Sequence, residues 1–168
     1  GLVTQVFDER RLAPLEGHLA IGHVRYSTTG SSTWRNAQPI YRAVGAAGFA
    51  VAHNGNLTNT AQLSDSLGQL PGIFDPDPVR LDSTSDSELM SELIAAQYAT
   101  NLRSDGRDLE YALLAVLPRL EGAFSLVLSD EAHLFGVRDR HGIRPLVLGR
   151  VDGGWVLASE TAALDIVG

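Results

Sequence analysis

Three helix-like segments follow one another between residues 58 and 120, and strand-like runs lie on both sides of them. Strands, then helices, then strands is the order of an α+β fold, with helices packed on an antiparallel sheet; alternating βαβ units would interleave the two patterns. The first strand-like run is Leu19 to Tyr26, where apolar and polar residues roughly alternate until the Ser/Thr/Gly stretch 27–32. The second, Gly48 to His53, is broken by Asn54-Gly55. From Thr58 to Leu70, Ala61, Leu63, Leu67 and Leu70 fall on one helical face, with Thr58 or Asn59 as the cap and Pro71-Gly72 as the stop. Residues 71 to 85 read as a Pro-rich loop. A helix opens at Ser85-Asp86-Ser87-Glu88, where Ser85 and Glu88 have capping-box spacing, and Leu89, Leu93, Ile94 and Gln97 share a face. A third helix covers about Asp108 to Leu120. Short strands follow at 123–128, 133–138, 145–150 and 155–158, with Asp152-Gly153-Gly154 as a hairpin turn and a short helix after Ser159.

The composition excludes several chemistries. The 168 residues suit one domain, and 44% are hydrophobic, enough for a sizeable core. All 13 basic residues are Arg and there is no Cys. Within these residues there is therefore no phosphate-loop lysine, Schiff base, disulfide, thiolate metal site, iron–sulfur ligand or thiol nucleophile. A net charge of -7 disfavours nonspecific binding to nucleic acid or anionic lipid. No apolar run approaches a membrane span, and no export pattern opens the chain; a cytoplasmic location is expected. Gly1 at one end and Ile166-Val167-Gly168 at the other are expected to be cuts through a longer protein.

Candidate chemistry comes from a few groups. The five histidines have no metal-ligand spacing and read as polar or half-buried imidazoles. A Ser–His–Asp set could be drawn from Ser27, His53 and Asp86, but any serine-rich chain allows one, and no nucleophile-elbow motif supports it. Arg25 ends a strand-like run at a Ser/Thr/Gly loop. It can form a bidentate pair with a ligand carboxylate, or bond a neighbouring acid. Asn54-Gly55 is a plain turn or an oxyanion hole, where an Asn amide and a Gly N–H point at one spot. Asp86, in a first helical turn, gains from the helix dipole, or receives an ammonium group if it faces a pocket. Arg138 to Leu146 reads as scaffold, with Arg138 paired to an acid. Together Arg25, Asp86 and Asn54-Gly55 would recognise an amino acid with a side-chain amide, namely glutamine. The part they lack is a nucleophile.

These residues sit in familiar stretches. Residues 1–8, Ile21 to Ser32, Asn36-Ala37-Gln38-Pro39, Ala52 to Leu57, Thr84 to Glu88, Arg138 to Leu146 and Ala158-Ser159-Glu160 appear in the order found in the amidophosphoribosyltransferase family, and the chain closely resembles its class II glutamine amidotransferase domain. The resemblance implies the N-terminal-nucleophile hydrolase fold, an αββα sandwich. It also implies an N-terminal Cys that attacks the glutamine amide and releases ammonia. By motif position, Arg25 would hold the glutamine carboxylate and Thr28 would assist through its loop backbone. Asn54 and Gly55 would form the oxyanion hole and Asp86 would bind the α-ammonium.

In the family a Cys-bearing strand precedes the Gly-Leu-Val segment, and a phosphoribosyltransferase domain follows. The expectation is thus a partial glutaminase domain over residues 1–168, a sandwich incomplete at its N-terminus. Alone it would be inactive, and unstable or oligomeric. The parent would pass ammonia to phosphoribosyl diphosphate, forming phosphoribosylamine in purine synthesis. It would be a homo-oligomer using Mg²⁺ and, in some members, an iron–sulfur cluster, with no cofactor in the present chain. Other class II amidotransferases (glucosamine-6-phosphate synthase, asparagine synthetase) fit the 26–39 wording less well. A nucleophile-free paralogue that binds an amino acid or a partner is the reading from a different class.

Overall fold

The computed structural model describes residues 3–25, 36–69, 81, 85–104 and 108–168. Two short helices, α1 (Val3–Val6) and α2 (Glu9–Leu12), open it; Asp8 caps α2 by accepting from the Arg11 N–H. Four antiparallel strands then form one sheet in the order β1-β2-β3-β4: β1 (Ile40–Val44), β2 (Ala47–Leu57), β3 (Gly122–Ser129) and β4 (Leu134–Arg138). Between β2 and β3 the chain makes α3 (Thr60–Gly68), α4 (Asp86–Ser104) and α5 (Leu109–Val116). A hairpin, β5 (Val147–Val151) and β6 (Gly154–Ala158), and α6 (Thr161–Val167) complete it.

Alternation along β2 and β3 builds the layers. Phe49, Val51 and Leu57 of β2 and Phe124, Leu126 and Leu128 of β3 turn to the helices, where they meet Leu89, Leu93 and Ile94 of α4 and Leu113 and Val116 of α5 in the core. The other face of β4 is covered by the hairpin, since Leu157 and Leu146 lie over Gly136. On the far side of the hairpin, Leu164 of α6 lies against Gly149. Helices, sheet, hairpin and helix thus stack in the expected αββα order.

The helical segments and the last four strands form where their periodicity places them. Pro118 has no N–H to continue α5, so the helix ends at Val116 and tightens into a 3-10 turn at Leu117–Arg119. The Asp152-Gly153 turn closes the β5–β6 hairpin, with Gly153 at φ +80°. Asn59 holds the cap position of α3, but its side chain is spent elsewhere: it donates to Arg119 O and accepts from Glu121 N, tying the start of α3 to the start of β3.

Two expectations are corrected, and one strand is added to them. Residues 19–25 alternate like a strand but pair with no strand among the described residues, and 21–25 line the cleft described below; alternation marks sidedness, and a strand also needs a ladder partner. Asn54-Gly55 does not break the second strand. Its ladder runs through Asn54↔Ser125 and Gly55↔Phe124 to Leu57↔Gly122. Finally, β1 was not anticipated, although Ile40–Val44 alternates in burial and joins β2 through a turn with Gly45 at φ +65°. The Pro-rich 71–85 loop falls almost wholly outside the described residues.

Candidate active site

A cleft of about 1570 Å³ brings together Arg25, the 52–57 end of β2, Ser85 to Ser87 at the start of α4, and Ile143-Arg144 from the segment after β4. Three separate stretches of sequence named for amino-acid binding therefore reach one concavity: Arg25, Asn54 with Gly55, and Asp86. Thr28 and Ser27 lie outside the described residues.

Asn54 and Gly55 are displayed by a strand. Gly55 has φ +146°, a conformation L side chains rarely adopt, and a Cβ there would stand 2.1 Å from Ala123 O and 2.7 Å from Phe124 Cα. Only glycine lets β2 approach β3 this closely. Gly122 does the same from the other strand, at φ +141° against Asn56 O. Because successive side chains alternate, His53 faces the helices and Asn54 the opposite side. Arg144 Nη2 donates to Asn54 Oδ1 at 2.5 Å.

Asp86 sits in the first turn of α4, where the dipole favours a carboxylate. Its Oδ2 accepts from Leu57 N at 3.0 Å, joining the helix start to the end of β2. A carboxylate has further acceptor capacity, and the Asp86 side chain is 21% exposed toward the cleft. Next to it, His53 is held by a closed set of bonds. Gln38 Oε1 accepts from His53 N at 2.6 Å, Gln38 Nε2 donates to Ser87 Oγ at 3.1 Å, and Ser87 Oγ meets His53 Nδ1 at 3.0 Å. The imidazole thus has Ser87 as its serine neighbour, with Asp86 Oδ1 at 3.6 Å. Burial lowers the His53 pKa; Asp86 opposes this, while His23 and Arg144 add to it. Burial lowers that of His23 too, against a hydrogen bond to the His53 backbone and with help from Arg25.

The Arg138 to Leu146 segment acts as scaffold, but not as expected. Among the described residues Arg138 pairs with no acid: its Nε donates to Arg144 O at 3.0 Å and its Nη2 to Gly142 O. Backbone carbonyls are acceptors too, and this tight loop aims two of them at the guanidinium. The acid that organises the loop is Asp139. Buried, it accepts from the N–H groups of Phe124, His141, Ile143 and Arg144 at 2.9–3.2 Å. Burial would raise its pKa, but these four donors outweigh that and bring it down to about 2. The reading from sequence missed Arg144. The signal was present in Arg138-Asp139-Arg140-His141-Gly142-Ile143-Arg144, but its partner lies 90 residues away.

These shifts set the acid behaviour. His53 and His23 have folded pKa values below the ordinary 6.5, so the unfolded chain takes up protons first and stability falls as pH drops below 6.5. The Asp139 contribution is complete above the ordinary 3.8 and is lost as pH falls toward 2. Urea midpoints measured across this range are expected to fall in two stages, with Asp139→Asn flattening only the lower one. A midpoint unchanged from pH 7.5 to 5 would contradict the histidine assignment.

A model of the glutamine amidotransferase domain family matches residues 23–165. The chain belongs to the glutamine amidotransferase domain family. Over its whole length this amidotransferase domain is 51% identical to the amidophosphoribosyltransferase of Mycobacterium leprae and 50% to that of Mycobacterium tuberculosis, covering 29% and 31% of those proteins. Identity to the amidophosphoribosyltransferase of Synechocystis is 46%, with 32% of that protein covered. Among solved structures, 99% of the domain superposes on 33% of the glutamine phosphoribosylpyrophosphate amidotransferase of B. subtilis, with a TM-score of 0.80 and 33% identity. A structure described as the allosteric regulatory enzyme of purine biosynthesis matches with a TM-score of 0.82 and 34% identity. The domain spans about a third of the length of these relatives. The likeness, with the layer order, identifies the fold as that of an N-terminal-nucleophile hydrolase. Among the described residues no helix is long and apolar enough to cross a membrane.

Proposed function

We propose that this domain binds and hydrolyses glutamine as the glutaminase portion of a cytoplasmic, homo-oligomeric amidophosphoribosyltransferase. That enzyme passes ammonia to phosphoribosyl diphosphate and forms phosphoribosylamine for purine biosynthesis. The observation that carries the reading is the convergence of Arg25, Asp86 and Asn54-Gly55 on one cleft. Arg25 takes the α-carboxylate, with backbone help from Thr28, and Asp86 takes the α-ammonium. The Asn54 amide and the Gly55 N–H stabilise the oxyanion that forms on the side-chain carbonyl. The thiol that attacks that carbonyl belongs to sequence outside these 168 residues, which contain no Cys.

The phosphoribosyl-diphosphate site lies outside these residues as well. Without Cys these residues supply no thiolate for an iron–sulfur cluster, and Mg²⁺ is a partner of the phosphoribosyl diphosphate rather than of glutamine. Any such group of the parent enzyme is assigned to its remaining chain.

The test is steady-state glutaminase activity of the full-length protein containing this segment. Removing one charge-assisted contact to the amino-acid backbone costs about 10- to 100-fold in affinity. Arg25→Ala and Asp86→Ala are therefore each expected to raise the glutamine KM by about that factor. The 168-residue polypeptide by itself is expected to release no ammonia. Full-length protein that neither hydrolyses nor binds glutamine would overturn the reading and favour a partner-binding paralogue.

A further inference from the structure

We propose that Arg144 is a positioning residue of the oxyanion hole: its guanidinium seats the Asn54 carboxamide so that Nδ2, and not the oxygen, serves the cleft. The proposal rests on the glutaminase reading above and adds a residue to it. A guanidinium carries donors only, so its 2.5 Å contact with Asn54 decides which amide atom it meets. A flipped amide would set NH₂ against N–H. With Oδ1 engaged, Nδ2 is left without a hydrogen-bond partner among the described residues, on a side chain that lines the cleft. A cation on the amide oxygen also draws electron density from nitrogen and makes Nδ2 a stronger donor.

The guanidinium is aimed from a fixed base. Arg144 N donates to Asp139 Oδ2 at 3.1 Å, Ile143 N donates to both oxygens of Asp139, and Arg144 O accepts from Arg138 Nε at 3.0 Å. Arg144 has no carboxylate partner among the described residues, and its Nε is buried without one. For stability alone, an arginine held this way against a neutral amide is a poor choice. Orienting a donor that must point at developing charge gives it a use.

The experiment is glutaminase kinetics on the full-length enzyme. Loss of one oxyanion donor lowers kcat by about 100- to 1000-fold; loss of its orientation costs part of that, so Arg144→Met is expected to lower kcat by about 10- to 100-fold. The glutamine KM should stay within about threefold, since the α-carboxylate and α-ammonium contacts are untouched. Arg144→Gln, which keeps a donor, should recover part of the loss. In an Asn54→Ala background, Arg144→Met should change kcat by less than about twofold, because the group it orients is gone. An unchanged kcat, or the same fold-loss in both backgrounds, would overturn the proposal. If Arg144→Met does not fold, Arg144→Gln and its Asn54→Ala double variant give the same comparison. A wild-type enzyme without glutaminase activity would instead refute the reading on which the proposal stands.

Discussion

Replacing Gly55 with Ala is expected to lower unfolding free energy by about 3 kcal/mol or more, near the top of the range for single substitutions. Two penalties act together. The φ of +146° is one that alanine rarely adopts, and the new Cβ would meet the backbone of Ala123 and Phe124, which cannot rotate aside as a flexible side chain could. Relief requires separating β2 from β3, the pair at the centre of the sheet. Gly45→Ala is the control. Gly45 also has positive φ, at +65°, but nothing lies within 4 Å of its added Cβ, so the cost should be about 1 kcal/mol. Urea titration of the two variants measures the difference. Equal losses would show that the close approach at Gly55 contributes nothing.

Asn54→Asp is expected to lower glutaminase kcat by about 100- to 1000-fold in the full-length enzyme. The replacement has the same shape, keeps an oxygen for Arg144 and strengthens that contact by adding a charge. What disappears is the Nδ2 donor, and in its place stands a negative oxygen facing a developing negative charge. Stability should not fall and KM should change little, which separates this outcome from that of Arg25→Ala. A variant that retains activity would remove Asn54 from the oxyanion hole.

The helical part of this fold was legible because its periodicity is local. Leu89, Leu93 and Ile94 recur at helical spacing and all three are in the core, and Asp152-Gly153 forms the turn its φ requirement predicts. The errors came where neighbouring strands decide. Asn54-Gly55 looks like a turn in one dimension, yet the ladder to Ser125 and Phe124 carries the chain straight through it. Leu19 to Arg25 alternates but has no partner strand among the described residues.

The candidate site divides in the same way. Arg25, Asp86 and Asn54-Gly55 are residue types whose chemistry can be named before their positions are known, and one cleft collects them. The groups that hold them could not be read so directly. Gln38 reaches His53 and Ser87, Arg144 reaches Asn54 across 90 residues, and Asp139 engages Phe124 together with its own loop. Arg138 could be recognised as scaffold, but its choice of two carbonyls over an acid depends on a loop geometry that spacing does not encode.

The most direct measurement is a crystal structure of the full-length protein grown with glutamate, the hydrolysis product. Its α-carboxylate should lie on the Arg25 guanidinium, its ammonium on the Asp86 carboxylate, and a side-chain oxygen within hydrogen-bond distance of Asn54 Nδ2 and Gly55 N. Glutamate bound in this cleft with its side chain turned away from Asn54 and Gly55, or bound elsewhere, would contradict the assignment.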